Sequence, residues 1–418
     1  MVVVCSAGKM EGAGRQGRAL EAGRMLWLGL VLLLPVMAWG QLEKKETTSR
    51  PGGGEGKAVE KKLPGNSGQP QGGAGNSDGT RMIIEMKTGE THLEQTQSPQ
   101  QGRFSQWIDL QILSTSFRYH FIQDSAGVTT NNLGQYLGAL KGALRLDSSG
   151  RYTIQAGILT GNRFVSGWNA SGWGTGPSTT NFNVKQLFAD ARPIRGVELQ
   201  YGGLYFNQGE TTEITGYDND GYLMGERIRL MRPKNFYFDE ISITYGFVGD
   251  LNRPSVGQRF RRLAESNYHQ FLLGKKLGER VSVSGDYTFQ SGVDTLRQAV
   301  RIHVRELRLI DVFQFENYQV VAPDSGYGFS VYGQKKLRPN LSLGAGYAQH
   351  DRPGLYSDRF AQGKRVFVNV QKEMSSGFSV SMAITQAIEN AQATGTRTRV
   401  DLALNYNLLP LVRKTGLF

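Results

Sequence analysis

From about Trp107 onward the chain is a succession of short segments in which apolar and polar side chains alternate. Val281-Ser-Val-Ser-Gly-Asp-Tyr-Thr-Phe289 puts Val281, Val283, Tyr287 and Phe289 on one face and Ser282, Ser284, Asp286 and Thr288 on the other. Val400-Asp-Leu-Ala-Leu-Asn-Tyr-Asn-Leu408 does the same with Val400, Leu402, Leu404, Tyr406 and Leu408. A period of two marks a strand whose faces meet different surroundings. About sixteen such segments recur, at 107–121, 137–147, 151–161, 181–194, 197–207, 223–232, 236–248, 267–276, 279–290, 295–305, 309–319, 327–336, 340–349, 364–373, 377–388 and 397–408. Most reach the roughly 9–11 residues that a tilted strand needs to cross a bilayer. The first slips phase near Ser114, as a bulge would make it do. The segment at 309–319 alternates poorly.

The connections keep a rhythm of their own. After even-numbered segments they are short: Ser148-Ser-Gly150, Ile194-Arg-Gly196, Pro233-Lys-Asn235, Leu277-Gly278, Leu337-Arg-Pro-Asn340 and Ser375-Ser-Gly377. After odd-numbered segments most are long, at 122–136, 162–180, 208–222, 249–266, 350–363 and 389–396. Tight turns at one end and long loops at the other are the layout of an outer-membrane barrel. The expected fold is all-β: a closed antiparallel transmembrane β-barrel of about 16 strands, within roughly 14–18, over residues 101–418.

Composition agrees. Only 39% of residues are hydrophobic and the mean hydropathy is −0.38, which excludes a helical membrane protein. A barrel tolerates this because only alternate residues of each strand face lipid. The competing fold is a soluble secreted all-β protein, such as a carbohydrate-binding sandwich or propeller. Its strands would be shorter, about five or six residues, and no propeller-like repeat of fixed period is visible.

The apolar run Met25–Trp39 follows Arg15, Arg18 and Arg24 and is too short for an ordinary spanning helix. Ala38-Trp-Gly40 supplies the small residues a signal peptidase needs, so 1–40 reads as a signal peptide cleaved before Gln41. The stretch before Met25 is long, and Met10 or Met25 would serve equally well as the first residue. The single cysteine, Cys5, falls in this segment, which leaves the rest without a disulfide or thiolate site. Residues 41–100 are rich in Gly, Gln, Ser, Glu and Lys and cannot bury enough apolar surface to fold, so they read as a disordered periplasmic tail. The first hundred residues hold twelve basic and ten acidic groups of the chain's 48 and 36, so +10 of the net +12 lies in 101–418.

Leader, amphipathic strands, loop rhythm and the terminal aromatic Phe418 together give a chain that resembles Gram-negative outer-membrane porins. The stretch Phe188–Phe206 looks like a porin hairpin, and Gly225-Glu-Arg227 is placed as in phosphate-type and alginate-export-type porins. The resemblance implies an outer-membrane location among its lipids and lipopolysaccharide. It also implies passive diffusion of small solutes without catalysis, Phe418 as an assembly signal, and a homotrimer as one option.

If Val300 and Ile302 face lipid, Arg297, Arg301, His303 and Arg305 face the lumen, because a charge at the lipid midplane costs about 2–4 kcal/mol. The same phase argument turns Lys141, Arg145, Lys185, Arg227, Arg229, Arg365 and Arg399 inward, with Glu198, Glu240, Asp286 and Asp401 among them. Two readings stand. These groups form a basic ladder that guides small anionic or saccharide solutes, or they pair across strands and brace the wall. The loop at 162–180, with Trp168 and Trp173, is a candidate constriction. The loop with Arg253, Arg259, Arg261 and Arg262 reads as solvated, or as a contact for lipopolysaccharide phosphates.

No nucleophile elbow, phosphate loop or dinucleotide fingerprint is present, and no pair of the five histidines has metal-ligand spacing. No catalytic residue, metal, cofactor or nucleic-acid partner is expected. Alternatives to a pore are a structural or adhesive barrel acting through its tail, and an outer-membrane hydrolase for which His269 is the least unsuitable base.

Overall fold

A computed structural model of the chain describes residues 104 and 106–415, apart from 163–165, 213, 215–221, 233–236, 250–252, 261–264, 305–308, 324, 352–361, 376 and 390–395. The expected leader, the tail, Arg305 and Phe418 lie outside the described residues.

Seventeen strands appear: β1 (Ile108–Asp124), β2 (Thr129–Arg145), β3 (Tyr152–Thr160), β4 (Asn169–Gly174), β5 (Phe182–Ala191), β6 (Val197–Leu204), β7 (Leu223–Met231), β8 (Glu240–Phe247), β9 (Tyr268–Leu277), β10 (Val281–Gln290), β11 (Val293–His303), β12 (Val312–Ala322), β13 (Gly326–Arg338), β14 (Leu341–His350), β15 (Gly363–Ser375), β16 (Phe378–Glu389) and β17 (Thr396–Asn407). Each pairs antiparallel with its neighbours. β1 is bonded to β2 on one side and to β17 on the other, so the sheet closes on itself. β3 pairs with β5, while the short β4 lies against β2 alone. The ring therefore contains sixteen strands, at all sixteen positions where the sequence alternates.

Closure leaves the sixteen-stranded ring without a free edge strand and sorts the side chains. Ile228 and Ile243 are 50% and 53% exposed on the outside, whereas Arg227 and Thr244, one residue away from each, are 1% exposed on the inside. The outer face reads Leu199, Ile228, Ile243, Val366, Val368, Leu402 and Leu404; the inner face reads Gln200, Arg229, Ser242, Ser284, Thr288, Ser330 and Thr385.

Two irregularities adjust the phase. Leu110 stands opposite Gly142 and Ile112 opposite Lys141, so Gln111 is an extra residue in β1. The slip expected near Ser114 lies three residues earlier. In β5, Lys185 is similarly inserted between Val184 and Gln186, which face Ile158 and Gly157.

The connection at 122–136 is not a long loop. β1 runs to Asp124 and β2 starts at Thr129. The Asp124 carboxylate closes the hairpin by accepting the Ala126 and Val128 amides at 2.9 and 2.8 Å. The protruding part of β2 is stable because β4 folds back on it, pairing Ala170 with Gln135.

Two short helices complete the described chain, α1 (Val256–Arg259) between β8 and β9 and α2 (Leu409–Lys414) after β17. Pro410 suits the first turn of α2, and its presence explains why Val412 and Lys414 make no lipid-facing row: the chain has left the sheet. The Leu408 amide still donates to Leu113 O at 2.8 Å, tying the end of β17 to β1.

On the inner surface β14 carries Gly346 opposite Tyr332 of β13 and Phe367 of β15. The two rings stack over the gap, 5.9 Å apart and 9° from parallel. A Cβ on Gly346 would stand 2.3 Å from the Phe367 ring.

Candidate functional site: the lumen and its inward loop

The segment leaving β6 turns inward and runs along the interior wall. The Asn207 side chain donates to Glu240 Oε1 on β8 at 3.1 Å, and Gln270 of β9 donates to Asn207 O at 2.8 Å. Glu210 N donates to Ser284 Oγ on β10 at 2.8 Å. Ile214 is fully buried with Tyr318, Val320, Tyr332, Ala348 and Phe367 of β12–β15. Gly209 permits the close approach to β10. Its φ is +58°, and a Cβ there would meet Ser284 Oγ at 2.8 Å.

A buried ionic cluster holds this loop. Arg297 on β11 donates from Nε to Asp286 Oδ2 at 2.7 Å and from Nη1 to Glu316 Oε1 at 3.2 Å. It also donates to the loop carbonyls of Gln208, by Nη2, and Glu210, by Nη1 at 3.3 Å. Glu316 Oε2 accepts the hydroxyls of Thr211 and Thr212 at 2.9 and 2.8 Å, and the Thr212 amide. Charges taken out of water persist only when their hydrogen-bonding capacity is met, and here loop and wall meet it for each other.

A second cluster sits under the start of the loop. Arg229 reaches Glu198 Oε2 at 2.9 Å and Glu240 Oε1 at 3.0 Å. Arg192 adds Glu198 and Asp190 at 3.1 and 3.2 Å. Arg227 donates to Thr244 Oγ1 at 2.9 Å, to Gln200 Oε1 at 3.1 Å and to Tyr205 O at 2.5 Å, with its guanidinium 5.0 Å from the Tyr205 ring centre.

The wall formed by β1, β2 and β17 differs. Arg118 donates to Gln135 at 2.7 Å and lies 3.5 Å from Asp401, whose Oδ1 is 2.5 Å from His120 Nδ1. Arg399 donates to Asp401 Oδ2 at 2.8 Å. Arg118, Asp401 and Arg399 keep 13%, 15% and 17% of their side-chain surface, against 4% for Arg297 and 0% for Glu316.

The residues singled out from the sequence fall into groups. Arg229 and Arg297 are buried ion-pair braces, and Arg227 is buried on the neutral acceptors of Thr244, Gln200 and Tyr205. Lys185, at its bulge, is fully buried and donates to Ser166 O at 3.3 Å. Arg365 is on the inner face of β15 and 1% exposed. Arg145, Arg301 and His303 share the inner phase of β2 and β11 and keep more surface.

The two tryptophans separate. Trp168 lies inside, with the Arg118 guanidinium 4.2 Å from its ring centre. Trp173 belongs outside, against Phe117 and Tyr119 on the lipid face of β1, 6.2 and 5.6 Å away. Of the loop at 162–180, Trp168 stays inside while β4 turns Trp173 away from the lumen, and residues 205–212 and 214 also run along the interior. The reading of Arg259 as a solvated loop residue is corrected. It is buried, 4.9 Å over the Tyr222 ring, and donates to Arg253 O at 3.0 Å. Arg261 and Arg262 lie outside the described residues.

His269 faces outward at the start of β9, between Tyr245 and Phe289, 4.6 and 5.6 Å away. Among the described residues no group of three acidic, histidine or cysteine side chains is placed to hold a metal ion.

No family model and no curated protein matches the chain. Similar solved structures include a substituted porin of Rh. blastica, at 11% identity over 72% of this chain and 99% of that one, with a TM-score of 0.48. Another is Salmonella typhi OmpF in complex with daunomycin, at 12% identity over 72% and 97%, with a TM-score of 0.49. At such identities these are likenesses of fold. The chain's own geometry defines its class: a closed, antiparallel, sixteen-stranded transmembrane β-barrel, apolar outside and polar within. Within that class it is a barrel with an inward segment along its wall, pinned on buried ion pairs.

Proposed function

We propose that this barrel is an outer-membrane porin that passes small hydrophilic solutes, with a preference for anions. One observation carries the reading: the inner surface is unevenly wet. Under the inward loop, Arg297 and Glu316 are sealed, whereas Arg118, Arg399 and Asp401 on the opposite wall retain exposed surface. A solute path bounded by β1, β2 and β17 on one side and by the loop on the other follows from that asymmetry. Lys141 and Arg145 on β2 extend the basic lining of that wall, Arg301 on β11 adds a basic group from across the ring, and rings of Lys and Arg favour anions. The +10 excess in 101–418 acts in the same direction. Trp168 offers an aromatic face beside the path on which a sugar ring can stack, so acidic saccharides and phosphate are the solute classes that fit. Lipopolysaccharide and outer-membrane lipids are the surroundings that suit the exterior.

The test is electrical. The purified barrel in a planar bilayer is expected to conduct steadily and to give a reversal potential of anion sign under a salt gradient. A cation-signed potential overturns the selectivity, and a silent bilayer containing folded, heat-modifiable barrel overturns the pore.

A further inference from the structure

At mid-depth the exterior carries an uncharged polar patch that lipid does not suit. On β11 and β12 the outward row reads Leu296, Gln298, Val300 and Phe315, Asn317, Gln319. Gln298 stands directly opposite Asn317 across the ladder, and Gln319 is the next outward residue on β12. Gln298 and Asn317 are each five residues from either end of their strands. With a rise of about 3.3 Å per residue and a tilt of about 40°, that puts them about 13 Å from each rim, the middle of an apolar band about 25 Å tall.

At comparable depth other strands show Ile228, Ile243, Val368 and Leu402, all exposed, while the outward charge of Glu226 on β7 lies toward the loop end between Tyr201 and Tyr245. Among the described residues, none of the three carboxamides has a hydrogen-bond partner. A carboxamide facing hydrocarbon with its donors and acceptors unmet is strongly unfavourable. Beside them Gly285 of β10, opposite Gln298, leaves an open notch: a Cβ there would meet only Arg297 O, at 3.6 Å. Small residues next to amides are what membrane-embedded contacts are built from.

We propose that this patch is the contact between two copies of the chain, related by a twofold axis along the membrane normal. Three features point to a second copy. The depth excludes soluble partners and lipid headgroups, so the occupant is itself embedded. The patch is uncharged, and each carboxamide both donates and accepts, so it complements itself. A rotation about the membrane normal preserves height, so a second copy brings the same amides to the same level.

The test uses the full chain with Cys5→Ser, refolded into lipid vesicles, carrying Gln298→Cys or Gln319→Cys. Oxidation is expected to join each into a dimer, while Leu402→Cys, on the far side of the ring, stays single. Independently, the unsubstituted chain is expected to be dimeric in mild detergent. The triple change Gln298→Leu, Asn317→Leu, Gln319→Leu is expected to be monomeric, with its heat-modifiable mobility intact. Cross-linking at Leu402→Cys as strongly as at Gln298→Cys overturns the proposal. So does an assembly that the triple change leaves whole, or an unsubstituted chain that is monomeric in both lipid and detergent.

Discussion

Thr212 donates its hydroxyl to Glu316 at 2.8 Å, although the two are 104 residues apart in sequence and one belongs to a loop and the other to the wall. The carboxylate of Glu316 is the junction at which the inward loop, Arg297 and β12 meet.

Replacing Glu316 with Ala should therefore free the loop and leave Arg297 with Asp286 as its remaining carboxylate. Removing one partner from a buried ionic cluster costs about 3–5 kcal/mol. The expected outcome is a barrel that unfolds at lower urea and whose single-channel current is larger and noisier. Thr212→Val, which removes one hydroxyl donor, should act in the same direction at about 1–2 kcal/mol. Unchanged currents in both variants would mean that the loop does not narrow the path.

Charge reversal at the wetter positions tests the lining. Arg145→Glu and Arg301→Glu together should move the reversal potential toward cations, by more in dilute than in concentrated salt, because mobile ions screen fixed charge. Arg297→Glu is a poor probe of selectivity, since it breaks the brace and is expected to lower the yield of folded barrel.

The stacked pair Tyr332 and Phe367 depends on the absence of a side chain at residue 346. Gly346→Val should force the rings apart at a cost of about 1–3 kcal/mol, read as a lower urea midpoint in lipid vesicles.

On the outside, Ile243→Lys should destabilise by about 2–4 kcal/mol, because it places a charge near the lipid midplane. The neighbouring Thr244→Lys faces inward and is expected to differ in kind, disturbing Arg227 rather than the lipid contact. Equal responses at the two sites would contradict the assigned phase of β8.

The turn before β12 gives a prediction in pH. Asp311 accepts hydrogen bonds from the Lys335 ammonium at 2.6 Å and from the Lys336 amide at 2.7 Å, and its carboxyl is held below the usual carboxylate range, chiefly by Lys335. A carboxyl depressed in the folded state stabilises above its unfolded pKa, and that contribution is lost as pH falls through the folded value. Asp311→Asn should thus flatten the acid limb of the stability curve slightly, in urea titrations run below about pH 4, and leave the neutral region almost unchanged, as befits a solvated pair.

The sixteen strands were legible because each carries its instruction locally, in a period of two. The direction of the 205–214 loop was not. Asn207-Gln-Gly-Glu-Thr-Thr212 reads as an ordinary polar loop, and what draws it inward is Glu316, Arg297 and Ser284, far along the chain. One trace of it was visible. The segment at 309–319 alternates poorly because its inner row, Gln314, Glu316, Tyr318 and Val320, is fitted to a loop that packs on it as well as to water. Trp173 misled for the opposite reason. An aromatic among glycines resembles a loop tip, but β4 adds it to the sheet and turns it toward lipid.

His120 and Asp401 touch across the seam although 281 residues separate them, and β17 is the last strand of the ring. Until β17 has been synthesised, the outer edge of β1 lacks its native partner. A nascent or truncated chain thus has no smaller native state to fall back on. The seam makes folding a single late event, and the unfinished polypeptide must be kept apart from its siblings until that moment.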